Sequence, residues 1–369
     1  MLIPPPVDQS KREIPIKAMN ASRLSEILNK LKDMRIGVLG DFCLDRYFDI
    51  EPSLQEISRE TDRPAHQVFR VRCSPGGAGN VATNVKDLGV GDVVAIGPLG
   101  NDGEGFALRD ALASAGINQA GLVSHSAYLT PTYNKPLVIH PGREPEELDR
   151  IDIRTRGTLD LDLENQLLNH LDQAFPGLNG LLVADQFEER NHHCVSDRIR
   201  ARIIESSRKH PEKVVFADSR ARTAEFHSVL LKPNATEAAL ALGRKEAPKG
   251  IAETVEVGRE LAARAGKPVY ITVGEEGVLL VESPQAKGVH IPGFPVPPPV
   301  DICGAGDTTI AAMAAALCAG ATLEEAGLLG CLAASITVQK IGITGTANPD
   351  ELIRRLDEYN ARGLKSIRV

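Results

Sequence analysis

From about residue 160 the chain alternates short apolar runs with longer stretches of helical period, and this alternation restricts its fold more than any other feature. GLLVAD at 180–185, VVFAD at 214–218, the end of SVLLKPN at 228–234 and PVYITV at 268–273 read as strands. Between and after them, residues 160–174, 192–209, 235–243, 251–265, 323–339 and 350–359 read as helices, with further β-prone stretches at GVLLVE and KGVHI. Strands joined through helices pair in parallel and need cover on both faces, so the expected class is α/β, a doubly wound, mostly parallel sheet. Upstream, Leu24, Ile27, Leu28 and Leu31 mark an amphipathic helix, and RIGVLG at 35–40 is a strand that delivers Asp41 and Asp45 past its C-terminal end. In open α/β sheets that edge is where ligands bind. Two β-prone pieces without helical period, about 44–73 and 124–155, can form a small β-sheet lid. Residues 1–33 then form an arm and helix, and 34–369 one large domain.

Composition narrows the function. The 369 residues are 42% hydrophobic and 25% charged, and 42 basic against 49 acidic residues leave a net charge of −7. That balance argues against broad nucleic-acid or anionic-membrane binding but leaves room for a local basic pocket. Six cysteines without CxxC spacing predict neither a disulfide framework nor structural zinc. No run approaches the ~18 apolar residues of a membrane span, and the N-terminus lacks a signal-peptide core, so a cytoplasmic location is expected.

The stretch VDICGAGDTTIAAMAAALCAG, Val300 to Gly320, carries the densest chemistry. Gly304, Ala305 and Gly306 have almost no side chain, so their amides can converge on an anion where the Ala-rich helix begins. Asp307 on the lip of such an anion hole suits phosphoryl transfer to a hydroxyl, accepting its proton while the amides meet the moving charge. Beside the helix N-terminus Asp307 is expected to be ionised at neutral pH. A plain turn with Asp307 as a helix cap is the alternative.

Other motifs read two ways. Gly76, Gly77 and Gly79 with Asn80 permit close approach to a ligand, or simply start a helix. Asn234 and Glu237 could organise magnesium-bound water and phosphate, or form a capping box. Thr272, Gly274 and Gly277 could cradle a nucleotide, or turn a hairpin. His192 and His193, adjacent on their predicted helix, read as solvated residues rather than metal ligands. Neither a P-loop nor a GxGxxG fingerprint follows the first strand.

Taken in order, GGAGN near 76, LGNDGEG near 99, KPNATE at 232, ITVGEEG at 271 and DICGAGDT at 301 resemble the motifs of ribokinase-like (PfkB-type) carbohydrate kinases over roughly residues 35–360. GDFCLDRYF and ISRE are most similar to heptose 7-phosphate kinases, the kinase half of the bifunctional protein of ADP-heptose synthesis. The resemblance implies an ATP-dependent sugar kinase using Mg2+, with K+ a further candidate, acting on a small sugar or phosphosugar and pairing as a homodimer through the lid. It makes Asp307 the base and Gly304, Ala305 and Gly306 the anion hole. Asp45, Gly76, Gly77 and Asn80 would meet sugar hydroxyls, with Asp41 nearby. Asn234 and Glu237 would organise phosphate and magnesium, Glu237 through water, and Thr272, Gly274 and Gly277 would lie along the nucleotide. Lys135 and Arg150 match the lid positions that could meet a substrate phosphate, or are surface charges.

The chain departs from the heptose kinases after the central strand. Where they have Asp-Tyr-Gly-Lys-Gly it has Asp185-Gln186-Phe187-Glu188-Glu189, losing a glycine turn and a lysine beside the sugar. Other expected acceptors are ribose, fructose or nucleosides, and a sugar- or nucleotide-sensing protein without chemistry is the non-enzymatic alternative.

Overall fold

A computed structural model describes residues 19–342 and 344–369. The amino-terminal arm therefore falls outside the described residues. Helix α1 (Ala21–Leu31) is capped by Asn20 and buries Leu24, Ile27, Leu28 and Leu31, the predicted stripe. Strand β1 (Arg35–Gly40) continues after one residue as β2 (Phe42–Ile50), followed by the short β3 (Glu56–Ile57) and β4 (Pro64–Ala65) and by β5 (Val68–Gly77). Helix α2 (Ala78–Asp87), β6 (Asp92–Gly100), α3 (Gly103–Ser114) and β7 (Asn118–His125) come next, then β8 (Thr132–Val138), β9 (Glu146–Glu147) and β10 (Ile151–Ile153). The second half runs α4 (Leu161–Ala174), β11 (Gly180–Asp185), α5 (Asp197–Lys209), β12 (Val214–Ser219), β13 (Leu230–Leu231), α6 (Ala235–Ala241), α7 (Gly250–Ala265), β14 (Val269–Thr272), β15 (Gly277–Val281) and β16 (Val289–Pro292). Helices α8 (Ala305–Cys318), α9 (Leu323–Thr337) and α10 (Pro349–Ala361) and strand β17 (Ile367–Arg368) complete it.

Ten strands form the main sheet in the order β17-β16-β15-β14-β13-β12-β11-β1-β6-β7. Pairing is parallel from β14 to β7 and antiparallel from β14 to β17. Its strands are buried on both faces by two hydrophobic clusters, as a parallel sheet requires. A second sheet, β10-β8-β2-β5 with β9 on β8, makes the lid. β1 of the main sheet leads through Asp41 into β2 of the lid, and β5 ends at Gly77 where α2 begins, so residues at the C-terminal end of β1 and residues of the lid are close neighbours in the chain.

Helix α8 is apolar all round, burying Thr308 through Ala316, and lies against α2 on one side and α9 on another. Its alanines allow close approach, and Gly330 of α9 does the same, since a Cβ there would meet Met313 Cε at 2.8 Å. This packing sets the N-termini of α2 and α8 side by side, which is what brings Asn80 to Asp307.

Candidate active site

Asp307 is the third residue of α8. It is enclosed by protein yet keeps a partly open face. Asn80, buried at the start of α2, donates from Nδ2 to Asp307 Oδ2 at 2.7 Å. Burial raises the Asp307 pKa to about 6, opposed by the Asn80 hydrogen bond, raised further by Asp218 and lowered by Lys232 and Arg220. Desolvation dominates, and the group remains mostly ionised at neutral pH.

The turn before α8 is built for close approach. Gly304 adopts φ +77°, and a Cβ on it would meet Asn80 Nδ2 at 2.7 Å and Thr344 Cγ2 at 2.8 Å. The Ala305 N–H, predicted to face an anion, instead donates to the Ile302 carbonyl at 3.2 Å. That amide is therefore not free to meet an anion. The N–H groups of Gly306 and Asp307, in the first helical turn, have no intrahelical acceptor. A Cβ on Gly306 would lie 3.6 Å from Lys232 Nζ, so that ammonium stands over the turn.

Lys232 is a site residue that motif reading missed. It is 3% exposed, and its Nζ meets Asp218 Oδ2 at 2.8 Å. Burial pushes its pKa down, but Asp218, Glu237 and Asp307 push harder, and the net shift is upward, so the ammonium stays charged. Parallel pairing of Ala217 with Leu231 makes Asp218 and Lys232 neighbours. Arg220, exposed just after β12, also acts electrostatically on Asp307 and Glu237 and on Tyr133 of the lid.

Asn234 and Glu237 form the capping box of α6: Asn234 Oδ1 accepts from the Glu237 N–H and Glu237 Oε2 from the Asn234 N–H, both at 2.9 Å. Glu237 keeps its other oxygen, and its pKa is raised by burial and then by Asp218. Two hard oxygen donors sharing excess negative charge suit Mg2+ met through water and phosphate. No cluster of three potential ligands exists among the described residues. Thr272 bridges to Asn234 and donates its N–H to the Pro233 carbonyl at 3.0 Å. Gly274, φ +63°, has open space beside it, whereas Gly277 is required by packing, since a Cβ there would sit 2.2 Å from the Ile291 carbonyl oxygen. That turn joins antiparallel β14 and β15, so the hairpin alternative holds for Gly277.

On the lid side Asp45 is 7% exposed and pairs with Lys135 Nζ at 3.3 Å, while Lys135 also lies 4.9 Å from the Tyr47 ring centre. A Cβ at Gly76 would meet Asp45 Oδ2 at 2.9 Å, and one at Gly77 would meet the Asp41 carbonyl oxygen at 2.5 Å. Gly77 thus serves the β1–α2 junction. Arg150 lies on the lid over Tyr133 at 5.3 Å, paired with Asp152 at 3.1 Å. Asp41 does not face the cleft. Fully buried, it accepts from the backbone N–H groups of Cys194 and Gln186 at 2.9 and 3.0 Å, and burial with Asp185 nearby raises its pKa to about 7. Its role is to brace the loop after β11.

That loop also corrects the histidine reading. α5 starts at Asp197, and His193 lies before it, buried and stacked on Phe187 at 3.9 Å with Tyr128 Oη 3.2 Å from Nδ1. Burial lowers its pKa to about 4. Arg222 ties down Asp185 at 2.7 Å and the Phe187 carbonyl at 2.6 Å. From the lid, Arg154 and Arg156 reach Glu189 at 3.1 and 3.7 Å. A concavity of about 390 Å³ elsewhere is lined from α1, α9 and α10 and shares none of these groups.

A ribokinase-like α/β body, a lid, and a carboxylate beside a glycine turn at a helix N-terminus together define a sugar kinase class. Residues 43–133 and 203–351 match the pfkB family carbohydrate kinase, and the chain belongs to that family. It is 32% identical over 325 residues to the bifunctional protein HldE of Gluconobacter oxydans, covering 87% of this chain and 64% of the relative. The HldE protein of Halorhodospira halophila is 33% identical over 323 residues, 87% of this chain and 63% of the relative. The chain thus spans less than two thirds of the length of these relatives. Among solved structures it resembles Escherichia coli phosphofructokinase-2 in complex with substrates and products, with TM-score 0.68 and 20% identity over 89% of this chain and 99% of that one. Arabidopsis thaliana ribokinase complexed with ribose and ATP is similar at TM-score 0.62 and 20% identity, over 88% and 98%. No helix of the described residues is long and apolar enough to cross a membrane.

Proposed function

We propose that the chain transfers the γ-phosphoryl group of ATP to a hydroxyl of a phosphosugar, heptose 7-phosphate being the first candidate. The observation that carries this reading is the meeting of Asp307, Asn80 and Lys232 at the N-terminus of α8. Asp307 takes the proton of the sugar hydroxyl as its oxygen bonds to phosphorus and ADP leaves. The Gly306 and Asp307 amides and the Lys232 ammonium meet the charge on the transferring group. Asp45 and Asn80 orient the sugar, and the lid excludes water. Mg2+, held through water by Glu237 and Asp218, would neutralise the nucleotide's phosphates when bound. Lys135, Arg150 and Arg220 supply the cations that a second phosphate on the acceptor needs.

The Asp185–Glu189 loop favours a second reading within the class, a phosphosugar other than heptose 7-phosphate, because Phe187 and Glu189 stand where glycines were expected and Glu188 where a lysine was. ADP release measured with heptose 7-phosphate, fructose 6-phosphate, ribose, fructose and nucleosides separates the two. Turnover confined to unphosphorylated acceptors would overturn the phosphosugar assignment. The same proposal includes a homodimer through the lid, whose edge strand β5 exposes Val68, Phe69 and Val71.

A further inference from the structure

The groups that hold Asp307 form a closed ring across two helices. Asn80 donates to Asp307 Oδ2, and Asn80 Oδ1 accepts from Asn84 Nδ2 at 3.0 Å. Asn84 Oδ1 accepts from the hydroxyl of Thr308, the residue after Asp307, at 2.9 Å. Asn84 Nδ2 also donates to the Asn80 backbone carbonyl at 3.0 Å. Asn84 and Thr308 are 1% and 2% exposed. A carboxylate only accepts, so Asn80 must present its NH2 to Asp307 and its oxygen to Asn84. Asn84 must then present its NH2 to Asn80 and its oxygen to the Thr308 hydroxyl. One charge thereby orders three side chains.

We propose that Asn84, on α2 one turn beyond Asn80, is a positioning residue of the reaction. It locks the Asn80 amide in the orientation that donates to Asp307, and so keeps the carboxylate aimed and ionised. Without the Asn84 donor the Asn80 amide is free to rotate and turn its oxygen on Asp307. The inference rests on the reading of Asp307 as the base. Other groups facing Asp307 are Asp218 on β12 and Arg220 just after it, Lys232 after β13, Cys43 on β2 and Cys303 before α8. None of them bonds to Asn84, so a neutral substitution there leaves this background in place.

The test is a carboxyl-carbon NMR titration of the aspartate-labelled chain, with the Asp307 signal assigned by its loss in Asp307→Asn. Asn80→Ala should raise the Asp307 midpoint by about one pH unit, because it removes a bond that favours the charged form. Asn84→Leu should reproduce most of that rise without touching Asp307. The double variant should rise no further than Asn80→Ala alone, whereas independent effects would add. The acidic limb of the kcat profile should move up in the same variants while KM for ATP stays constant. Should Asn84→Leu fail to fold, Thr308→Val is expected to give a smaller rise of the same sign. An Asp307 midpoint unmoved by these substitutions, or an additive double variant, would overturn the proposal. The titration needs no turnover. A wild-type chain that transfers no phosphate would sink the reading of Asp307 as a base, while an unmoved midpoint would sink the ring.

Discussion

At the scale of single residues the account turns on a carboxylate whose environment was only half visible in the chain. Replacing Asp307 by Asn should lower kcat at least ~10²-fold while ATP binding survives, as measured by steady-state kinetics and calorimetry. Since the ionised form acts as base, kcat should fall as pH drops through about 6. The linkage has a definite sign. The folded pKa of about 6 stands above the ordinary 3.8, so the ionised carboxyl costs stability, fully above pH 6 and not at all below pH 4. Asp307→Asn should therefore be more stable than wild type at pH 7.5 by about 1–2 kcal/mol, discounted for the partly open face, and equal to it near pH 4 in urea unfolding. Lys232→Met should cost ~3 kcal/mol by stranding Asp218, and most of the transfer rate with it. Glycine and acid motifs announce Asp307 and Asn80, because local turn chemistry is written locally. The Asp218–Lys232 pair and the burial that raises Asp307 come from neighbouring parallel strands, which no local pattern encodes.

At the scale of elements, the N-terminus of α8 depends on the approach of α2. Gly304→Ala places a Cβ against Asn80 and Thr344 at a positive φ, so it should lose ~1–3 kcal/mol and most activity together. Gly306→Ala meets only the end of the Lys232 side chain, at 3.6 Å. It should fold normally and raise KM for ATP or lower kcat, a split that melting and kinetics together can read. Most helices and strands were legible from their periods, α8 and its glycine stop most of all. Helix α3 was not: it buries only Gly105, Leu108 and Leu112 and exposes Phe106, leaving a stripe too sparse to stand out. The run before α5 read as the start of that helix, yet Ser196 caps it and His193 is pulled into the core by Phe187 and Tyr128.

At the scale of the whole molecule, Asp45 and Lys135 sit on the lid strands β2 and β8, so whatever positions the lid positions them. The β-prone runs exposed the lid in the sequence, but not its ties to the body, since Arg154, Arg156 and Glu189 meet only in the fold. Glu189→Ala should raise KM for the sugar ~3–10-fold with a stability change below ~1 kcal/mol, because the pairs are half exposed. If the proposed lid-mediated homodimer forms, wild type should sediment as a dimer and Val71→Asp as a monomer at matched concentration. The most direct test of the central claim measures ADP formation from ATP over the sugar and phosphosugar panel with wild type and Asp307→Asn side by side, together with calorimetric ATP binding to both. Acceptor-dependent ADP formation by wild type, lost in the variant that still binds ATP, is the predicted result. A variant with near-normal kcat would contradict it.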